Sequence, residues 1–542
     1  MISSVLILLA SWAIFSAGGA AVSSVLKNGD VTLLYHNELD IAVCKSLNES
    51  LLPTHSNETF SDIVHLLRYQ VFQGNFKSGQ EFWVSSSENI CRVVNTEGIV
   101  RPALCFESFP VLCSQSASLG AGPTSETEVT VKSNSLAVTG FRDSRAFKFF
   151  GIPYANAPAR WTYPTAYSGP TTLDATKFGA ACVQTGSTGT SEDCLFLNIW
   201  TPFLPQEGTS KKASLKPVMF WIHGGAFTGG TGADSTFEGS NMASRGDVVL
   251  VTINYRLSTI GFLAMDDGET NGNFGIADQI MALDWVRENI AGFGGDPDRI
   301  TVFGQSAGAG SVRALLGSPK AKGKFAGAIP MSNLAGSGYA MTYSLYYTLS
   351  QAQEIVTNPI LQATNCTGSD ALDCLKEIDA QTLVDLPEVA RFLVVDGTFV
   401  TANGLQLTKP NDVARVHAMM GFMRDDGAAF ISTPTNGNLT QELEVNGVTT
   451  SIVNSPLFPP PNGPNATEEV FNVTARAVTD LYFRCLDQAT AFSAIQHNLF
   501  ENLWFYEFNR SYQTPGFDPN APRCDAPIDD THPHGDPSLE YF

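Results

Sequence analysis

The stretch Asp298-Arg-Ile-Thr-Val-Phe-Gly-Gln-Ser-Ala-Gly-Ala-Gly-Ser-Val-Arg-Ala-Leu-Leu316 reads as a strand, a sharp turn and a helix. A buried strand that feeds a helix through so tight a turn lifts one hydroxyl out at the edge of the sheet. Here that hydroxyl belongs to Ser306, in Gly304-Gln305-Ser306-Ala307-Gly308. The flanking glycines permit the strained backbone and let the helix approach closely. Ser306 is therefore the candidate nucleophile.

Working outward, Lys216–Ile222 and Asp247–Ile253 read as buried strands. Ile276, Ile280, Leu283, Val286 and Ile290 recur at helical spacing until Gly294-Gly-Asp-Pro297 stops the helix. Strands alternating with helices predict an α/β fold, a mostly parallel central sheet with helices on both faces. No internal repeat is visible.

The chain has 542 residues, 43% hydrophobic, which is enough for one large α/β domain and something smaller. Its net charge of −21 argues against nucleic acid and against an anionic membrane surface as partners. Met1–Phe15 is a short apolar run followed by the small residues 16–21, which predicts a signal peptide over residues 1–21. The run is short for a bilayer span, and no later segment is long enough, so no integral membrane segment is expected after its removal.

Ten cysteines suit an oxidising, extracellular compartment. Local spacing suggests disulfides between Cys182 and Cys194 and between Cys366 and Cys374, with Cys485 and Cys524 a possible third pair. Sequons begin at Asn48, Asn57, Asn365, Asn438, Asn465, Asn472 and Asn509. No C-x-x-C step or histidine cluster suggests a metal site, and no cofactor is expected. Residues 22–113 hold four cysteines and little α/β texture. Residues 114–126, small and polar with Gly and Pro, read as a linker to a domain over 127–542.

Several ordered segments then resemble one family. They are Phe150-Gly-Ile-Pro-Tyr-Ala155, Ser191-Glu-Asp-Cys-Leu-Phe-Leu-Asn-Ile-Trp-Thr-Pro202, Trp221-Ile-His-Gly-Gly-Ala-Phe227, Ile253-Asn-Tyr-Arg-Leu257, Gly272-Asn-Phe-Gly-Ile-Ala-Asp-Gln279 and Phe293-Gly-Gly-Asp-Pro297. With the serine turn they resemble the type-B (cholinesterase-like) carboxylesterases of the α/β-hydrolase class, most closely its secreted fungal members. The resemblance implies a serine carboxylesterase acting on small-molecule esters without a cofactor. It implies an oxyanion hole from the N–H groups of Gly225, Ala226 and Ala307, Ala226 standing where the family often has glycine. It also implies an acid at Asp426, in a turn after a strand at Val416–Phe422, with Asp425 as its structural neighbour.

The order serine, acid, histidine leaves His497, His532 and His534 eligible as base. His497 lies in an amphipathic stretch and reads as structural. The family's catalytic histidine sits in a Cys-His-Ser-Gly-type segment after a Tyr-Phe pair, and this sequence stops at Tyr541-Phe542, so the resemblance implies a domain truncated at its carboxyl end, with the catalytic histidine beyond it rather than at His532 or His534. Hence an alternative is open, an esterase-like binding or adhesion protein without catalysis. The Cys182–Cys194 loop holds no aromatic residue and no apolar helix, so neither a lipase lid nor a quaternary-ammonium cage is expected. The module at 22–113 reads as a disulfide-stapled extension with no ligand; its cysteines and Phe82-Trp-Val also loosely resemble a small C-type-lectin-like module, which would nest Cys91–Cys105 within Cys44–Cys113.

Overall fold

The structure is a computed structural model that describes residues 23–28, 31–36, 44–45, 47–54, 57–87, 90–205, 215–335, 343–458 and 465–509. The expected signal peptide, His532, His534 and Cys524 lie outside the described residues.

An 11-stranded sheet forms the centre. Its strands in chain order are β1 (Glu128–Ser133), β2 (Leu136–Arg142), β3 (Phe147–Pro153), β4 (Thr172–Asp174), β5 (Phe196–Thr201), β6 (Lys216–Ile222), β7 (Val249–Ile253), β8 (Gly295–Gln305), β9 (Gly327–Met331), β10 (His417–Met423) and β11 (Asn502–Phe508). They run across the sheet as β4-β2-β3-β5-β7-β6-β8-β9-β10-β11, with β1 beside β2. From β7 to β11 every neighbouring pair is parallel. The sheet is thus more mixed than the sequence predicts, because β1, β2, β3, β5 and β7 meet antiparallel. Short connections such as residues 134–135 can only turn the chain back on itself, whereas parallel neighbours need a crossover.

The parallel half is the buried half. Every residue of β7 is buried, as expected of a strand covered on both faces, and a run that is apolar except for Thr252 spells it. The helix Phe274–Asn289 (α1) is buried along most of its length, and Gly294 ends the following turn in a left-handed conformation, φ 84°. The helix Ala307–Gly317 (α2) packs behind β8 and is almost wholly buried. Of two later helices, Ala466–Thr479 (α3) packs on the turn at Asp426–Phe430 and Cys485–Gln496 (α4) packs against β10 and β11.

A second sheet of seven short strands precedes the first in sequence. Its order is Phe203–Leu204, Ser23–Asn28, Val31–His36, Val111–Cys113, Glu81–Ser87, Ile90–Asn95, Val100–Pro102. The helix Asn57–Phe72 covers it through Ile63, Leu66 and Leu67, which meet Phe82, Val84, Val94 and Leu112. One strand, Phe203–Leu204, follows β5 in the chain, so the central domain itself completes this sheet. Cys44, Leu47, Trp83 and Val111 share a continuous core with the central sheet. Arg142 of β2 reaches across to Glu49 at 2.6 Å and to the Leu47 carbonyl at 2.9 Å.

Among the described residues four disulfides are present: Cys44–Cys113, Cys91–Cys105, Cys182–Cys194 and Cys366–Cys374. Cys485 is an exposed free cysteine. Among the described residues no helix is long and apolar enough to cross a membrane.

Candidate active site

The carboxyl ends of parallel strands are where loops gather, and three such ends converge here. The end of β8 carries Ser306, with φ 56° and ψ −119°, a backbone conformation that non-glycine residues rarely adopt. The flanking glycines have a steric reason. A Cβ on Gly304 would lie 2.6 Å from the Ile222 carbonyl oxygen, and one on Gly308 only 2.1 Å from the same atom. The strand–helix turn is pressed against the end of β6. Ser306 itself remains partly exposed while its neighbours are buried.

The end of β6 supplies a glycine turn. A Cβ on Gly224 would stand 3.3 Å from the Ser306 Cβ, so the turn passes directly beside the serine. Gly225, Ala226 and Phe227 have φ of 97°, 56° and 60°, three left-handed residues in a row. Thr228 and Gly229 donate back to the Gly225 carbonyl at 2.9 and 3.0 Å. Among the described residues the N–H groups of Gly225 and Ala226 donate no hydrogen bond. The Ala307 N–H opens α2, where no intrahelical acceptor exists. These three amides can receive an anionic oxygen.

The end of β10 carries Asp426, the acid that the sequence resemblance implies. Asp426 opens a 3-10 turn, is buried, and accepts at Oδ2 from the Ser332 hydroxyl and the Met423 N–H, both at 2.7 Å. Among the described residues its Oδ1 has no partner, and it is buried. Burial pushes its carboxyl up to about 7, the charge of Asp425 adds, and the two hydrogen bonds oppose. The glycine after it is needed because α3 crowds the turn: a Cβ on Gly427 would meet the Ala475 oxygen and the Thr479 nitrogen at 2.4 Å. Asp425 instead pairs with Arg424 at 2.7 Å.

Ser332 joins the acid to the serine. The Ser306 N–H donates to the Met331 carbonyl, 3.1 Å, and the next residue, Ser332, grips Asp426. Nothing in the sequence around Ser332 marked it. Asp487 on α4 was missed as well. It is a buried carboxyl raised well above its usual range by burial; Arg313 opposes this and Asp426 adds to it.

The histidines divide clearly. His223 is buried on the ring of Tyr255, and its Nδ1 lies 2.8 Å from the Gly224 carbonyl. Burial pushes it down to about 4, so it stays neutral and acts as packing under the glycine turn. His497 caps α4 at its carboxyl end, beside Asn498, whose carbonyl accepts from Arg415. Arg415 precedes β10, so His497 stands at the sheet edge opposite Asp426. Among the described residues no group of His, Cys, Asp or Glu could hold a metal ion.

Residues 127–532 match the model of the carboxylesterase family. The chain belongs to that family. Among its relatives, the para-nitrobenzyl esterase of Bacillus subtilis is 31% identical over 422 residues, covering 70% of this chain and 78% of that protein. The bile salt-activated lipase of Mus musculus is 37% identical over 338 residues, and the chain spans 54% of that relative's length. A solved Geobacillus stearothermophilus carboxylesterase superposes with a TM-score of 0.58 at 32% identity, covering 72% of this chain and 81% of that one. These are carboxylesterases of the α/β-hydrolase fold. The family match begins at residue 127, so strands of the second sheet up to Cys113 lie outside it.

Proposed function

We propose that this carboxylesterase-family chain hydrolyses carboxylic esters of small molecules through an acyl intermediate on Ser306. The observation that carries the reading is the strained Ser306 beside a glycine turn whose Gly225 and Ala226 amides have no partner among the described residues. A serine hydroxyl attacks an ester carbonyl only as a base removes its proton. The oxyanion so formed is received by the N–H groups of Gly225, Ala226 and Ala307, each such donor being worth about 10²–10³ in rate. The base returns its proton to the leaving alcohol, and water then releases the acid by the same steps in reverse. These steps use side chains and backbone amides alone.

Asp426 orients the base in this reading, with the open Oδ1 as the atom that accepts from an imidazole. His532 and His534 are the residues of this sequence eligible to supply it. We also assign the protein to the extracellular space, since four disulfides form and persist in oxidising compartments. The test is labelling with a fluorophosphonate, followed by peptide mapping and by turnover of a para-nitrobenzyl ester. Labelling confined to Ser306 and absent in Ser306→Ala supports the reading. Inertness of the folded protein returns it to a binding protein. Loss of labelling in His532→Ala or His534→Ala identifies the base.

A further inference from the structure

The three consecutive left-handed residues at 225–227 are costly, because non-glycine residues such as Ala226 and Phe227 reach that region only at about 1–3 kcal/mol each. Such a turn persists only when its surroundings over-determine it. One restraint is apolar: Phe227 is buried against Phe262 and Tyr343, and its carbonyl accepts from the Ser258 N–H at 2.7 Å. The other restraint is polar and comes from a distant part of the chain.

That second restraint is Gln184, inside the Cys182–Cys194 loop. Its Oε1 accepts from the Gly230 N–H at 2.8 Å, and its Nε2 donates to the Gly230 carbonyl at 3.1 Å. The same Nε2 reaches the Cys182 carbonyl at 3.0 Å, so one buried amide ties the end of the glycine turn to the root of the disulfide. The loop cannot yield in turn. Gln381 donates to the Gln184 carbonyl at 3.1 Å, and the Thr185 hydroxyl donates to the Val384 carbonyl at 2.7 Å. At the other end Arg160 grips Glu192 with both arms, at 2.8 and 2.6 Å. Space at Gly230 is also fixed, since a Cβ there would stand 2.3 Å from the His223 Nδ1.

We infer that Gln184 is a positioning residue, which clamps residues 224–230 to the short disulfide loop and thereby holds the Gly225 and Ala226 amides where an oxyanion forms. The catalytic half of this statement rests on the esterase reading; the clamp itself does not. In lid-bearing enzymes such a loop would move over the substrate. In this chain it is a brace.

Gln184→Met keeps the length of the side chain and removes every side-chain hydrogen bond, whereas Gln184→Glu keeps the acceptor for the Gly230 N–H and removes the donor. Amide hydrogen exchange read by mass spectrometry on the full chain decides the clamp. In Gln184→Met the peptide carrying the Thr228, Gly229 and Gly230 amides exchanges about tenfold faster than in wild type, while peptides from β8 are unchanged; Gln184→Glu falls between. Unchanged exchange at 228–230, or faster exchange everywhere, overturns the inference whatever the activity.

The catalytic consequence is read separately, as a fall in kcat of about tenfold with KM nearly constant, because the lost interaction exists only in the transition state. A wild-type protein inert to fluorophosphonate removes the esterase reading and leaves the exchange result to judge the clamp. An active wild type with kcat unchanged in Gln184→Met removes the positioning role.

Discussion

Asp426 is held in two ways that pull against each other. Two hydrogen bonds favour its charge, yet burial and Asp425 outweigh them and leave the carboxyl near 7, against 3.8 for an ordinary aspartate. The folded state therefore keeps a proton that the unfolded chain releases. Its contribution to stability is full below about pH 4 and is lost as pH rises through about 7. Asp426→Asn, which cannot ionise, should match wild type near pH 4 and exceed it at pH 8 by up to roughly 4 kcal/mol. Thermal melts at the two pH values check this, and a difference that stays flat means that a cation already faces Oδ1. The site residues legible in the sequence were those with local chemistry: a serine between glycines, a glycine turn after a strand, an Asp-Gly step after another. Ser332 and Gln184 were not legible. Their partners lie 94 and 46 residues away, and a lone serine or glutamine carries no period or spacing that points to them.

Among the elements, β6 was legible to the residue as Lys216–Ile222, because the apolar run that follows Lys216 is its own signal. The next strand begins two residues later than the apolar run suggested, since Asp247 ends the preceding helix with φ 53° and cannot be extended. The antiparallel half of the sheet escaped notice because its connections look like any other loop in sequence. Packing at the strand–helix turn gives a sharp expectation. Gly308→Ala would thrust a methyl group 2.1 Å from the Ile222 oxygen, backbone against backbone, where nothing flexible can yield. Denaturant unfolding should show a loss of about 3 kcal/mol. By contrast Gly323→Ala, whose Cβ meets nothing within 4 Å, carries only the strain of its positive φ.

At the scale of the whole molecule the two sheets behave as one folded body. The ion pair between Arg142 and Glu49 is almost wholly buried, with side-chain exposures of 1% and 2%. Burial works against the Glu49 charge, but hydrogen bonds from Ser114 and Ser116, with Arg142, outweigh it and hold the carboxyl below its usual range. The stability it contributes is present above about pH 4.5 and is lost as pH falls. Glu49→Gln strands the guanidinium and should cost about 3–5 kcal/mol near pH 7, with a smaller cost in acid. A single melting transition in wild type that splits into two in the variant would show the pair to be what couples the sheets. An unchanged melt would assign that coupling to the shared apolar core.

The nested bonds of the second sheet have a mechanical meaning. Cys44–Cys113 closes a covalent ring between residues 69 apart in sequence. Once a pull at Ser23 has peeled its strand from Phe203–Leu204, the covalent path of the load crosses the sulfur bridge from Cys44 to Cys113 and runs on toward β1. Residues 45–112 cannot then be drawn out into length, so the bridge shortens the reach of the pulled chain.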